Sequence, residues 1–60
     1  MCYFVIETEF GYVISIREFE DFLRAEEYAE SLCEEEGIDY DGDVSYDLIY
    51  EYSVQIVSRD

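Results

Sequence analysis

The chain has 60 residues and a net charge of −14, and half of its residues are hydrophobic, including seven Tyr and four Phe. A chain of this length forms at most one domain, residues 1–60, and it is too apolar for a disordered acidic tail. The charge excludes electrostatic binding to nucleic acid or anionic lipid, because both require cations on the protein. It favours a basic protein as partner.

The composition also argues against an enzyme. The chain has no histidine and no lysine, so the usual general bases and amine nucleophiles are missing. Its five serines have no evident base to activate them. We therefore expect neither catalytic residues nor a cofactor.

The cysteines and the first residues indicate the compartment. Cys2 and Cys33 are too few for a disulfide framework. The opening "MCYFVI" lacks the features of a signal peptide, and no apolar run approaches the roughly 20 residues that span a bilayer. We expect a cytoplasmic protein with reduced thiols, in which Cys33 is a small buried hydrophobe on a helix.

Two strands are predicted first, in the segments "CYFVIETEF" and "YVISIRE". Both segments are rich in β-branched and aromatic residues. Gly11 separates them and predicts a hairpin in which this glycine adopts a positive φ or forms a bulge. On these strands, one face is expected to carry Phe4, Ile6 and Thr8, followed by Tyr12, Ile14 and Ile16.

A helix is predicted in "EFEDFLRAEEYAESLCEEEG", where apolar residues recur every three or four positions. Gly37 is the expected C-terminal cap. Glu34, Glu35 and Glu36 fall in the last turn, where negative charge opposes the helix dipole at about 0.3–1 kcal/mol for each residue. A local rule broken without compensation often marks a functional site.

A polar loop is expected at residues 39–45, and alternation from Tyr46 onward predicts a third strand. The predicted fold is therefore α+β, in the order β-β-α-β, with one helix on a three-stranded antiparallel sheet of order 2-1-3. The sheet face without a helix is expected to carry Tyr3, Val5, Val13, Ile49 and Val57. An apolar face of this kind suits a homodimer or another partner.

The spacing of Asp39, Asp41 and Asp43 resembles the start of a calcium loop. The positions that require glycine and a bidentate glutamate hold Val44 and Tyr50 instead. The match therefore fails, and we expect weak association with divalent cations but no specific metal site.

Mimicry of a nucleic acid is a further interpretation of the acids. Side chains two residues apart on an extended segment lie about 6.6 Å apart, and those four apart on a helix lie about 5–6 Å apart. Both spacings resemble that of phosphates along a strand. The tyrosines among the acids suit rigid contact residues. The predicted partner-binding residues are Glu20, Glu27, Glu30, Glu34, Glu35, Asp39, Tyr40, Asp41, Asp43, Tyr46 and Asp47.

Three segments, "YFVIETEFGYVISI", "FEDFLRAEEYAESL" and "LIYEYSVQIV", together resemble the small acidic inhibitor proteins of bacteriophages. These include DNA-mimic anti-CRISPR and anti-restriction proteins, and the phage inhibitor of bacterial RNA polymerase. The resemblance lies in composition and element order over the whole chain. It implies a phage protein that acts in the cytoplasm of its bacterial host.

Two functions of different classes follow from the sequence. In the first, the protein binds and blocks the basic groove of a host nucleic-acid-binding protein, such as a Cas effector, restriction enzyme, nuclease or RNA polymerase. In the alternative, it is a small structural or interaction module that dimerises through its apolar sheet face. The acids would then serve solubility alone, as they do in proteins adapted to high salt.

Overall fold

The structure, a computed structural model, describes residues 1–42, 44–47 and 51–59, without the side chains of residues 44 and 47. Its elements are β1 (Cys2–Glu9), β2 (Tyr12–Phe19), α1 (Phe22–Glu36), β3 (Val44–Asp47) and β4 (Tyr52–Arg59). The strands form one antiparallel sheet in the order β2-β1-β4-β3, with α1 packed on one face. The predicted α+β class is confirmed.

The predicted number of strands was wrong. The segment expected to form one strand from Tyr46 onward contains parts of two, β3 and β4, which pair antiparallel. Glu51 adopts a positive φ of 49° in the turn before β4. The sequence hides this turn because apolar alternation continues through it and no glycine or proline marks it. The order of the three longest strands, β2-β1-β4, follows the prediction, and β3 is added at the edge.

The β1–β2 hairpin turns at Phe10 and Gly11, whose φ values are 53° and 83°. Two consecutive positive φ values are typical of the type I′ turns that join twisted antiparallel strands. The predicted role of Gly11 is confirmed. A β-bulge follows, because Glu7 pairs with Ser15 and Thr8 pairs with Val13.

Helix α1 is capped at both ends by its own sequence. The Asp21 carboxylate accepts a hydrogen bond of 2.9 Å from the Leu23 N–H, as an N-cap residue does. At the other end, Gly37 adopts the left-handed conformation at φ 75°. The Ile38 N–H then donates to the Cys33 carbonyl at 2.9 Å. The predicted C-terminal cap is confirmed.

The core lies between α1 and one face of the sheet. Small and apolar side chains of the helix pack there against the central strands. The buried apolar residues described are Val5, Ala25, Ala29, Leu32, Cys33, Tyr52 and Val54. Cys33 is buried as expected, and both cysteines are free. Ala25 and Ala29 are both fully buried there.

The predicted face of β1 was wrong. Val5 is fully buried beneath the helix, and the Tyr3 ring packs edge to face with Phe22 at 5.4 Å between centroids. Phe4, Ile6 and Thr8 therefore point to the other side, because successive side chains of a strand alternate. Apolar residues occupy both faces of this strand, so the sequence pattern could not choose between them. Exposed Val13 and Val57 do lie on the face without a helix, and Ile49 is outside the described residues.

Candidate acidic binding surface

The outer side of α1 is acidic. Because Ala25, Ala29, Leu32 and Cys33 turn toward the sheet, the positions between them face solvent. Four predicted site residues are exposed there: Glu27, Glu30, Glu34 and Glu35. We call these four residues the acidic helix surface. With a rise of 1.5 Å per residue, they place four carboxylates within about 12 Å of helix.

The acids continue past the end of the helix. Glu36 is exposed in the last turn, and Asp39 and Asp41 are exposed after it. Ile38 packs against the core between them and so holds this segment next to the helix end. Glu36 was not among the predicted site residues, although the run "EEE" could have indicated it.

The last turn of α1 contains no basic residue, so no side chain of this turn offsets the negative charge at the C-terminal end of the helix. The helix dipole places partial negative charge on the same carbonyl groups. Two of these carbonyls accept hydrogen bonds, from Gly37 N–H to Glu34 at 3.2 Å and from Ile38 N–H to Cys33. The backbone cap therefore satisfies two of the carbonyl groups that share this end of the helix with the carboxylates.

Two hydrogen bonds hold the loop after the helix. The Tyr40 hydroxyl donates to Glu26 Oε2 at 3.1 Å, and the Tyr40 side chain packs against the core. The Asp41 N–H donates to Ser45 Oγ at 2.9 Å, and Ser45 is fully buried. Tyr40, predicted as a contact residue, therefore lies half-buried beside the helix. Its contacts position the neighbouring acidic residues, and its ring is not fully presented to a partner.

The structure does not bring all the predicted site residues together. Glu20 precedes the helix at its opposite end, about 20 Å from Glu34 at the helical rise. Tyr46 is 54% exposed, but it pairs with Ser53 and points away from the helix, because its neighbour Ser45 points into the core. Asp47 lies in β3, and Asp43 is outside the described residues.

Beneath the acidic end of the helix, two groups retain their protons. The Tyr52 hydroxyl donates to Glu7 Oε2. Burial raises the pKa of Tyr52 far above its usual range, and this hydrogen bond and the charges of Glu7 and Glu36 raise it further. Burial also raises the pKa of the Cys33 thiol, although a hydrogen bond with Ser45 opposes the change. Cys33 is therefore a core thiol and not a nucleophile.

Cys2, at the start of β1, is also a weak nucleophile. A hydrogen bond with Glu18 raises the pKa of its thiol, and burial and the negative charge of Glu18 act in the same direction. A reactive cysteine needs the opposite environment, with a cation nearby.

Within the described ranges, no three acidic or cysteine side chains lie close enough together to hold a metal ion. The same residues form no pocket for a small molecule, and they include no helix with the length and apolar character needed to cross a membrane. Comparison of the chain with models of protein families, with curated proteins and with solved structures gave no match.

Proposed function

We propose that this protein is an acidic inhibitor that mimics a nucleic acid and blocks the basic DNA- or RNA-binding groove of a host protein. The host protein is a bacterial Cas effector, restriction enzyme, nuclease or RNA polymerase, and the inhibitor acts in the host cytoplasm as a phage product. The acidic helix surface makes the first contact, and Asp39 and Asp41 extend it.

The observation that carries this proposal is the linear density of exposed charge on the helix. Four carboxylates that span about 12 Å of helix lie on average about 4 Å apart along the helix axis. A DNA strand carries one phosphate in about 3.4 Å of helix axis. Cations that are spaced to contact phosphates would therefore meet carboxylates at a similar interval.

The rigidity of this surface supports the same function. The helix is capped at both ends, and the loop after it is fixed through Tyr40 and Ser45. A rigid surface loses little conformational entropy when it binds. Complementary charge would give fast association that weakens as salt is added.

The test is affinity capture from nuclease-treated bacterial lysate, with the double variant Glu30→Gln/Glu34→Gln as the main comparison. The matched control is Glu9→Gln/Glu51→Gln, which removes two charges from the end of β1 and the turn before β4 instead of from the helix. Each variant changes the net charge from −14 to −12. We expect the helix variant to lose most of the captured partner and the control to retain it.

A captured partner supports mimicry only if the protein also displaces DNA or RNA from it at a stoichiometric ratio. A gel-shift titration with the purified partner measures this displacement. Equal capture by the two double variants would contradict the role of the helix, and a partner that keeps its nucleic acid would contradict mimicry.

A further inference from the structure

The sheet face opposite α1 has no covering element among the described residues. We call it the open sheet face. Ile16 in β2 is 61% exposed there, and it pairs with Ile6 of the central strand β1. Its apolar residues are Phe4, Ile6, Val13, Ile16, Tyr46 and Val57. A contiguous apolar patch of this kind normally marks an interaction site.

The uncharged polar residues of this face are Thr8, Ser53 and Gln55. The hydroxyl groups of Thr8 and Ser53 form a hydrogen bond across β1 and β4. Arg17 turns to the helix side, where its guanidinium lies 5.0 Å from the centroid of the Tyr28 ring. Among the described strand residues, the charged side chains on the open sheet face are therefore Glu18 and Arg59. The acids that dominate the rest of the surface largely avoid this face.

Glu18 and Arg59 lie at the same end of the sheet but on opposite sides of β1. Phe4 pairs with Glu18 on one side and with Val57 on the other, and Arg59 follows Val57 by two residues. A two-fold axis parallel to β1 would place β2 of one copy over β4 of a second copy at the same end. Glu18 of each copy would then face Arg59 of the other, with an offset along the strand of two residues, or about 6.6 Å.

We propose that the open sheet face binds a second copy of this chain in a two-fold, face-to-face sandwich. The face is self-complementary, because its apolar centre meets itself and its two charges exchange partners. The two helices would lie on the outside of the dimer. The acidic helix surface of each copy stays accessible, so this proposal does not depend on the proposed function.

The size of the face suits a weak dimer. Strands of eight residues are about 26 Å long and lie about 4.8 Å apart, so the three strands that this two-fold axis superposes, β2, β1 and β4, have a flat area of roughly 370 Å². Two copies would cover roughly 750 Å² before the relief of the side chains is counted, which is below the area of about 1,000 Å² of a stable specific interface and typical of a weak one. The apolar composition suits the more hydrophobic interfaces of homodimers.

The negative charge of the chain opposes dimerisation, and this arrangement limits the repulsion because it places the acidic helices on the outer sides. Both sheets lie between the two helices, and packed sheets alone are about 10 Å apart, more than the Debye length of about 8 Å at physiological salt. Added salt screens the remaining repulsion. The dimer should therefore strengthen with salt, opposite to the salt dependence of partner capture by the acids.

The first test is sedimentation equilibrium of the purified protein at low and high salt. We expect a monomer–dimer equilibrium with a dissociation constant of about 100 µM or lower that tightens as salt is added. A monomer at every concentration up to about 1 mM in high salt would overturn the proposal.

Matched variants locate the interface. Ile16→Glu places a charge among the apolar residues of the open sheet face, and Leu23→Glu makes the same type of change at a helix position that is 64% exposed. We expect Ile16→Glu to weaken the dimer by about 100-fold or more, because two apolar side chains are lost and two charges are introduced. Leu23→Glu should change the dissociation constant less than about threefold. Equal effects of the two variants would contradict the assigned face.

Exchange of charges tests the two-fold geometry. Glu18→Arg should weaken the dimer by about tenfold. Both Glu18–Arg59 pairs of the dimer would then become pairs of facing cations. The double variant Glu18→Arg/Arg59→Glu should recover most of that loss. If the second substitution weakens the dimer further, the two residues do not face each other and the proposed axis is wrong.

Discussion

The acids in the last turn of α1 should reduce the stability of the fold. Glu35 is exposed there, next to carbonyl groups that carry the negative end of the helix dipole. Replacement by lysine removes an unfavourable charge and adds a favourable one, each worth about 0.3–1 kcal/mol at low salt. We therefore expect Glu35→Lys to raise the free energy of unfolding by about 0.6–2 kcal/mol.

The control is Glu27→Lys, which makes the same change of net charge in the middle of the same helix. Its effect should stay within about 0.5 kcal/mol, the size of one new helix ion pair. Urea unfolding followed by circular dichroism measures both variants, and the midpoint should move without a change in slope.

Salt separates the electrostatic cause from other causes. At 1 M salt the Debye length falls to about 3 Å, so most of the gain of Glu35→Lys should disappear. A gain no larger than that of Glu27→Lys, or one that persists at high salt, would refute this reasoning. In the proposed function, the stabilised variant should also bind its partner less tightly.

Three further predictions concern the caps and the buried hydroxyl. Asp21→Ala removes the acceptor of the Leu23 N–H and should lower the free energy of unfolding by about 0.5–2 kcal/mol, whereas Asp21→Asn should restore most of it. Gly37→Ala meets no neighbouring atom but forces a side chain into φ 75°, so a loss of about 1–2 kcal/mol is expected in the same assay. Stability should fall as the pH rises above about 10, because the unfolded chain loses the Tyr52 proton there while the folded protein keeps it. Tyr52→Phe should flatten this alkaline decline in urea unfolding measured as a function of pH. It should also lower the free energy of unfolding at neutral pH by about 1–3 kcal/mol, because Glu7 loses its hydrogen-bond donor. An unchanged alkaline slope would contradict the role given to Tyr52.

The helix and the first hairpin were predictable because their signals are local. Asp21 and Gly37 mark the helix ends, and the apolar residues between them follow one period. Phe10 and Gly11 form the turn that the sequence indicated at the first glycine. In these segments, the short-range preferences agree with the final fold.

The rest depended on contacts between distant residues. Glu51 gives no turn signal, so the hairpin of β3 and β4 was hidden within an alternating run. The side to which Tyr46 points follows from its pairing with Ser53, which the sequence does not show. Tyr40 is held by Glu26, fourteen residues earlier in the chain, and no local pattern indicates that bond.

The position of β2 at the edge of the sheet gives the net charge a second consequence. Among the residues that the structure describes, this strand of eight residues pairs on one side only, and it contains neither lysine nor proline to discourage a further strand from adding. Apart from the β-bulge in its pairing with β1, mutual repulsion between copies is what keeps such edges apart in concentrated solution. Near the isoelectric point of about 4.1, that repulsion vanishes. Acidification should then let these edges join into fibrous aggregates, so storage well above that pH and at modest salt is what keeps the protein dispersed.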